Sequence, residues 1–569
     1  MGQSMNDEER IKIISSEYTD GIIEYALSQE EFGRFAGETI NYINDKYAVV
    51  YVPASQLPDR LVGAVAYSII PKQYTLLDLS SLEEMGVTKV NRIPHLSLSG
   101  EGVLLGFVDT GIDYLNPIFQ NADKSTRIVS IWDQTIENMQ APSNIFYYGA
   151  EYNRVEINEA IRSAVPYDIV PSKDEIGHGT TLAGLAGGTP VPKEGFSGVV
   201  PSAEYVIVKL KMAKPFTRAY FGIPEDAVCY SENDIMFGIM YLLNTAKMMD
   251  RPIVICIGLG TNQGSHAGLG PLNEMISYNA NKIGIAFVIA GGNEGNDGHH
   301  FYGEVDKEMG YTVVELNVGE NENNFSMEMW GNSPGTYSID MISPSGEYIP
   351  RIPARLGEFR NIGFIFETTV IIVDYVIVEA QTGDELILFR FRDPAPGIWK
   401  FRVYGSKITS GFHIWLPIRG FITAATKFLS PNQYTTITEP GNNIISITAT
   451  AYRPANKSLY IDASRGYSRY NVIKPDVATP GVEVLSPLLD NKFGLTSGTS
   501  SAAALLSGVA AMLFEWGIVR GNDRSMDTYQ VKKYLIRGVG RNPSIVYPNR
   551  EWGYGTVNLF KTFESLSGE

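Results

Sequence analysis

Four residues of this 569-residue chain stand where acyl-transfer chemistry would need them. Asp109 closes the apolar run GVLLGFVD, and His178 opens the segment HGTTLAGLAGG. Asn293 follows IAFVIAGG, and Ser500 sits in GTSSAAALLSGVAAML. A serine hydroxyl is a weak nucleophile until a base takes its proton, and a carboxylate must orient that base and balance its charge. Asp109, His178 and Ser500 are the residue types for those three roles. The Asn293 amide and the Ser500 N–H could donate to the oxyanion that forms at an attacked carbonyl. Each piece alone is a weak signal. A serine at a helix start is usually a cap, and an asparagine after two glycines usually just tolerates a left-handed backbone. The four contexts occurring together argue for catalysis by a serine nucleophile.

The elements that would position these groups are legible around them. From residue 502 to residue 514 the chain is almost wholly small or aliphatic and carries no charge. A helix apolar on every face must be buried, while its N-terminus collects unpaired N–H groups and the positive end of the macrodipole. Apolar strands are predicted near 102–109, 202–212, 251–260, 285–290 and 441–451, with helices starting at His178 and spanning about 233–246. Strands alternating with helices predict an α/β fold around a parallel sheet with both faces covered. The carboxyl ends of such strands carry the site, which is where Asp109 and Asn293 fall.

Between residues 303 and 427 the period changes to two, in FSMEMW, TYSIDMI, ELILFRF and GIWKFRVYG. Short alternating strands with turns between them predict a β-sandwich or jelly roll, here inserted in the α/β unit. Residues 1–80 predict a small α+β unit. It has a helix over 20–35, a strand over 48–53, a helix after Pro53, a strand over 62–70 and an exposed connector over 71–79. Ser81 and Glu84 in SSLEEMGV form a capping-box pattern. The expected organisation is 1–80, 81–302, 303–427 and 428–569, with a last helix near 528–539.

Composition narrows the partners. A net charge of −17 argues against nucleic acid and anionic membranes. Cys229 and Cys256 are the only cysteines and read as buried free thiols, with no zinc spacing. The N-terminus is polar and acidic, without the apolar core of a secretory signal, and no apolar run is expected to span a membrane. The expectation is an intracellular protein without a membrane span. His266, His299 and His300 fall near the predicted cleft loops without a ligand spacing, so no metal and no cofactor is expected.

The blocks VDTGID, GHGTTLAG, VIAGGNEGN and SGTSSAAALLSGVAAML closely resemble those of the subtilisin-like serine proteases. GVVPSAEYVIVKL and KPDVATPGVEVLS extend the resemblance over about 100–295 and 435–565. It implies that Asp109 orients the base, His178 is general base and acid, Ser500 attacks, and Asn293 completes the oxyanion hole. It also implies that Gly258, Leu259 and Gly260 form an edge strand that pairs with substrate backbone. Residues 1–80 would be a propeptide, acting as chaperone and inhibitor, with its tail in the cleft until self-cleavage. Two departures stand out. Ser497 replaces the family's asparagine, and Ser501-Ala502-Ala503-Ala504 replaces Met-Ala-Ser-Pro; neither change removes a proton-transfer group. The insertion and the sequence variants together resemble the clostridial germination-specific (Csp-type) proteases, carried in spores. That likeness implies limited proteolysis of a cortex-lytic enzyme precursor as the protein substrate. A housekeeping intracellular subtilisin, a pseudoprotease signalling scaffold and a carbohydrate-binding role for the insert remain open alternatives.

Overall fold

The computed structural model describes residues 5–24, 37–58, 61–62, 65–76, 85, 87, 96–137, 146–406 and 411–567. A nine-stranded sheet forms its centre. Strands Ile128–Asp133, Glu204–Lys209, Leu104–Asp109, Ile253–Ile257, Ile285–Ala290, Ile447–Arg453 and Val477–Pro480 run parallel in that spatial order. Ala150–Asn153 and Ser458–Leu459 add antiparallel partners. The central strands Leu104–Asp109 and Ile253–Ile257 are buried at every position, as continuous apolar runs in a sheet covered on both faces should be. Helices His178–Gly187 and Thr499–Phe514 pack into the core on one face. Glu232–Met248 and Pro271–Ala280 fill the core on the other. The helix predicted near 528–539 spans Thr528–Gly538.

The helix from Thr499 continues to Val519 in a 21-residue run, and 83% of its most apolar 18 residues are buried. By length and composition that run would suffice to cross a membrane, contrary to the expectation that none would. Its apolar surface faces the sheet and neighbouring helices instead. It is the one such run among the described residues.

The stretch with period two forms two antiparallel sheets packed face to face. One sheet has the order His300–Gly303, Phe412–Trp415, Asn324–Gly331, Glu385–Arg392, Val370–Val376, Phe359–Gly363. The other has Tyr348–Ile352, Tyr337–Ile342, Gly397–Gly405, Tyr311–Val318, Lys427–Phe428. Alternate residues Trp399, Phe401 and Val403 point into a core shared with Phe325, Met327, Phe389 and Phe391. The outer face of the six-stranded sheet gives Trp330, Leu386, Leu388 and Trp415 to the core of the α/β unit. Trp399 and Trp415 are both buried, so neither indole offers a face to a glycan.

The N-terminal residues depart most from expectation. Asp7–Ile14 is a helix with a full capping box from Asn6 and Glu9. Where a helix was expected from residue 20, Tyr18–Glu24 is a strand, paired in register with Tyr47–Pro53. The β-branched Thr19, Ile22 and Ile23 suit a half-buried sheet better than a helix. The rest of that expected helix, residues 25–35, lies outside the described residues. After Pro53 there is one 3-10 turn, Ala54–Gln56, in place of a helix. No strand spans 62–70: Tyr67–Ile69 is a 3-10 turn, and Leu61, Val62, Tyr67 and Ile70 are drawn into the main core. Residues 71–75 of the expected connector are buried rather than exposed, and Gln73–Leu76 is a strand; residues 77–79 lie outside the described residues. Ser81 and Glu84 lie outside the described residues.

This N-terminal unit is fastened to the α/β unit by buried charge. Asp20 pairs with Lys214 at 2.6 Å and accepts from Asn233 Nδ2 at 3.0 Å, with both ionic side chains 5% exposed. Removing one member of such a pair strands the other charge away from water. Asp20→Ala should therefore cost about 3–5 kcal/mol, read as a lower urea midpoint; a midpoint unchanged from wild type would show that water reaches Lys214.

Candidate active site

Asp109 and His178 meet first. The strand Leu104–Asp109 delivers the carboxylate, which lies 2.7 Å from His178 Nδ1, with both side chains nearly buried. The same oxygen accepts the Thr110 N–H at 2.8 Å, so the carboxylate is oriented by its own loop. His178 is the first residue of its helix, and Asp174 holds that start in place. Its two oxygens accept from the N–H groups of Gly177 and Thr180 and from the Thr180 hydroxyl. Close approach of the two motifs requires glycine. A Cβ on Gly179 would lie 2.2 Å from the Gly111 carbonyl oxygen, and the Gly179 N–H donates to Thr110 Oγ1 at 2.9 Å.

Ser500 arrives from the other end of the chain, on the first turn of the buried helix Thr499–Phe514. Gly258 lies between the partners: a Cβ there would be 3.1 Å from His178 Cε1 and 3.3 Å from Ser500 Cβ. His178 and Ser500 thus face the same small volume, with Asp109 behind the imidazole. The helix start is braced by the strand from KPDVATPG. Gly498 N–H donates to the Gly481 carbonyl at 2.7 Å, and Thr479 Oγ1 donates to the Ala502 carbonyl at 2.9 Å.

Asn293 stands beside the same helix start. Its Oδ1 accepts from the Thr499 N–H at 3.2 Å and the Thr499 hydroxyl at 3.1 Å. The Thr499 oxygen in turn accepts the Gly292 N–H at 3.0 Å. The Asn293 amide is thus fixed through its oxygen to Thr499, the residue before Ser500. Thr499 was not singled out from sequence. A hydroxyl at the first helical position was the available signal, but its partner lies 206 residues away.

Gly258, Leu259 and Gly260 form the cleft edge, and the chain's own N-terminal strand lies along it. Leu76 and Thr75 pair antiparallel with Leu259 and Gly260, and Tyr74 and Gln73 pair with Tyr230 and Ser231 on the other side. In this register the strand advances toward Gly258, the residue against Ser500 and His178. Ser500 has no exposure and His178 only 7%.

The other histidines among the described residues have structural partners. His266 stacks on Trp415 at 4.1 Å, and His300 and His413 stack on the same indole. His299 lies 2.6 Å from Glu294, which also accepts from Asn262 Nδ2 and the Arg419 N–H. Glu294, Asp297 and His299 come within reach of a common point, but Arg419 already pairs with both Asp297 oxygens. The donors therefore tie the β-sandwich segment to the loop carrying Asn293.

Comparison with known proteins agrees with this geometry. The model of the subtilase family matches residues 100–325 and 409–555, and the chain belongs to that family, whose members are serine endopeptidases. Among solved structures it is similar to the CspB protease of Clostridium perfringens, at 30% identity and TM-score 0.74, over 85% of this chain and 98% of that one. Among curated proteins it is similar to the subtilisin-like proteases SBT3.6 and SBT3.4 of Arabidopsis thaliana. They are 22% and 24% identical, over 81% and 73% of this chain. The chain spans 61% and 56% of the length of these plant relatives.

The Glu294–His299 pair carries a pH prediction. Burial works to lower the His299 pKa, but the Glu294 charge outweighs it and holds the imidazole above 6.5. Burial works to raise Glu294, and the imidazolium outweighs that and holds the carboxyl below 4.5. The pair's stability is thus complete between pH 4.5 and 6.5. It is lost as pH rises through the raised His299 pKa, and as it falls through the lowered Glu294 pKa. The difference in Tm between wild type and His299→Gln should be largest in that window; a difference that grows steadily toward alkaline pH would contradict the pairing.

Proposed function

We propose that the chain is a serine endopeptidase that first cuts itself and then cuts a protein substrate at few sites. The observation that carries the reading is the buried Asp109–His178 contact with Ser500 across Gly258. Ser500 Oγ attacks the carbonyl carbon while His178 takes its proton, and Asp109 stabilises the imidazolium. The oxyanion accepts from Asn293 Nδ2 and the Ser500 N–H. The C–N bond breaks as His178 returns the proton to the leaving amine. Water then attacks the acyl ester, giving its proton to His178, and the ester C–O bond breaks as His178 returns that proton to Ser500 Oγ and the carboxylic acid product leaves.

In this reading residues 1–80 are a propeptide, and the bond cut first lies soon after Leu76. Full burial of Ser500 with Gln73–Leu76 along the cleft edge fits a latent form. The likeness to the CspB protease favours a spore protein that activates the precursor of a cortex-lytic enzyme during germination. The β-sandwich, packed through Trp330 and Trp415 against the α/β core, would restrict access and favour limited cleavage.

Purified wild-type protein should run as two bands on a denaturing gel and Ser500→Ala as one; two bands from that variant would remove self-cleavage by this serine. Asn293→Ala should slow cleavage about 10²–10³-fold, the range this donor carries in subtilisin. Thr499→Val should slow it less, because the donor is then loosened rather than lost.

A further inference from the structure

The start of the strand Gln73–Leu76 and the residue before it are held by side-chain contacts as well as by backbone hydrogen bonds. Gln73 is fully buried. Its N–H donates to Gln263 Oε1 at 2.8 Å, and its Oε1 accepts from the Cys229 thiol at 3.2 Å. Burial pushes that thiol up to about 12, so it stays a donor. Lys72 is also buried, and its N–H donates to Glu232 Oε2 at 3.0 Å while its carbonyl accepts the Glu232 N–H at 2.9 Å. Its ammonium donates to the carbonyls of Ile70 and Tyr67, lies 3.8 Å from Glu232 and sits over the Tyr67 ring at 4.4 Å. Tyr67 in turn donates to Glu328 of the β-sandwich and meets Trp330 edge-on at 6.0 Å. Glu232 is 3% exposed, so without a cation opposite, its charge would be stranded in the protein.

From this geometry we infer that the enzyme recognises an extended segment upstream of the bond it cuts, with a lysine and then a glutamine where Lys72 and Gln73 lie. Glu232 selects the cation, the Cys229 thiol selects the side-chain amide, Gln263 holds the backbone N–H, and Glu328 extends recognition onto the β-sandwich. The substrate class is a polypeptide carrying a Lys-Gln pair at the start of the strand that lies along Leu259–Gly260. The inference rests on the proposed function, in which Gln73–Leu76 lies as a substrate would.

The test is a time course of self-cleavage in full-length chains made by cell-free translation, comparing wild type, Lys72→Met, Glu232→Gln and the double variant. Lys72→Met should slow cleavage about tenfold or more. In the Glu232→Gln background the same change should cost much less, because no charge is left stranded. The double variant buries no charge at that point and keeps the comparison readable where Lys72→Met fails to fold. Lys72→Met cleaving at the wild-type rate, or costing the same in both backgrounds, overturns the inference. A wild-type chain that stays one band, or a Ser500→Ala chain that is cut, overturns the underlying reading and this inference with it.

Discussion

The structure depends on burying one helix completely. Every residue of Thr499–Phe514 is buried, against strands of the central sheet and against His178–Gly187. Such a helix cannot rock or slide without opening voids in a close-packed interior. Its first turn is therefore a fixed point, and Ser500 inherits that fixity. Thr499 passes it on to Asn293 through two hydrogen bonds, and Thr479 and Gly481 hold the same turn from behind. The positions of Ser500 and Asn293 are thus set by packing, with a few hydrogen bonds to aim them.

The histidine side of the site is built differently. His178 opens a helix rich in glycine and alanine, and its position comes from close backbone approach. Gly179 against Gly111, and Gly258 between His178 and Ser500, leave no room for a Cβ. Side chains with short, strong acceptors then close the arrangement: Asp174 at the helix start and Asp109 at the strand end. The two halves of the site come from opposite ends of the chain and meet only because the sheet places Leu104–Asp109 and Ile285–Ala290 on either side of Ile253–Ile257.

The β-sandwich and the N-terminal unit converge on one region of the α/β core. Glu328 of the sandwich reaches Tyr67, Trp330 and the Gly264 N–H, while Asp20 of the N-terminal unit reaches Lys214 and Asn233. Both contacts bury charge or carboxyl groups, which is costly unless each partner is present. The cleft edge is accordingly bounded by three parts of the chain, and the strand Gln73–Leu76 lies among them.

The sequence by itself determined most of the central parallel strands, the buried helix and the four candidate site residues, because each is a local pattern. Continuous apolar runs, a chargeless helix and polar residues at element ends can be read within a dozen positions. Period two marked out sandwich strands such as Asn324–Gly331, Tyr337–Ile342, Glu385–Arg392 and Gly397–Gly405, but not Tyr311–Val318, Tyr348–Ile352 or Phe359–Gly363. The N-terminal segment was misread because its apolar residues do not announce which surface they will cover. Tyr67 and Ile70 went to the main core, and Tyr18–Glu24 became a strand through pairing with Tyr47–Pro53. The same limit hid Thr499, Asp174, Glu232 and Gln263, whose roles lie in partners far along the chain. Only tertiary structure decided which side chains met across those separations, since hydrogen bonds and close backbone contacts depend on distances that spacing in sequence does not encode.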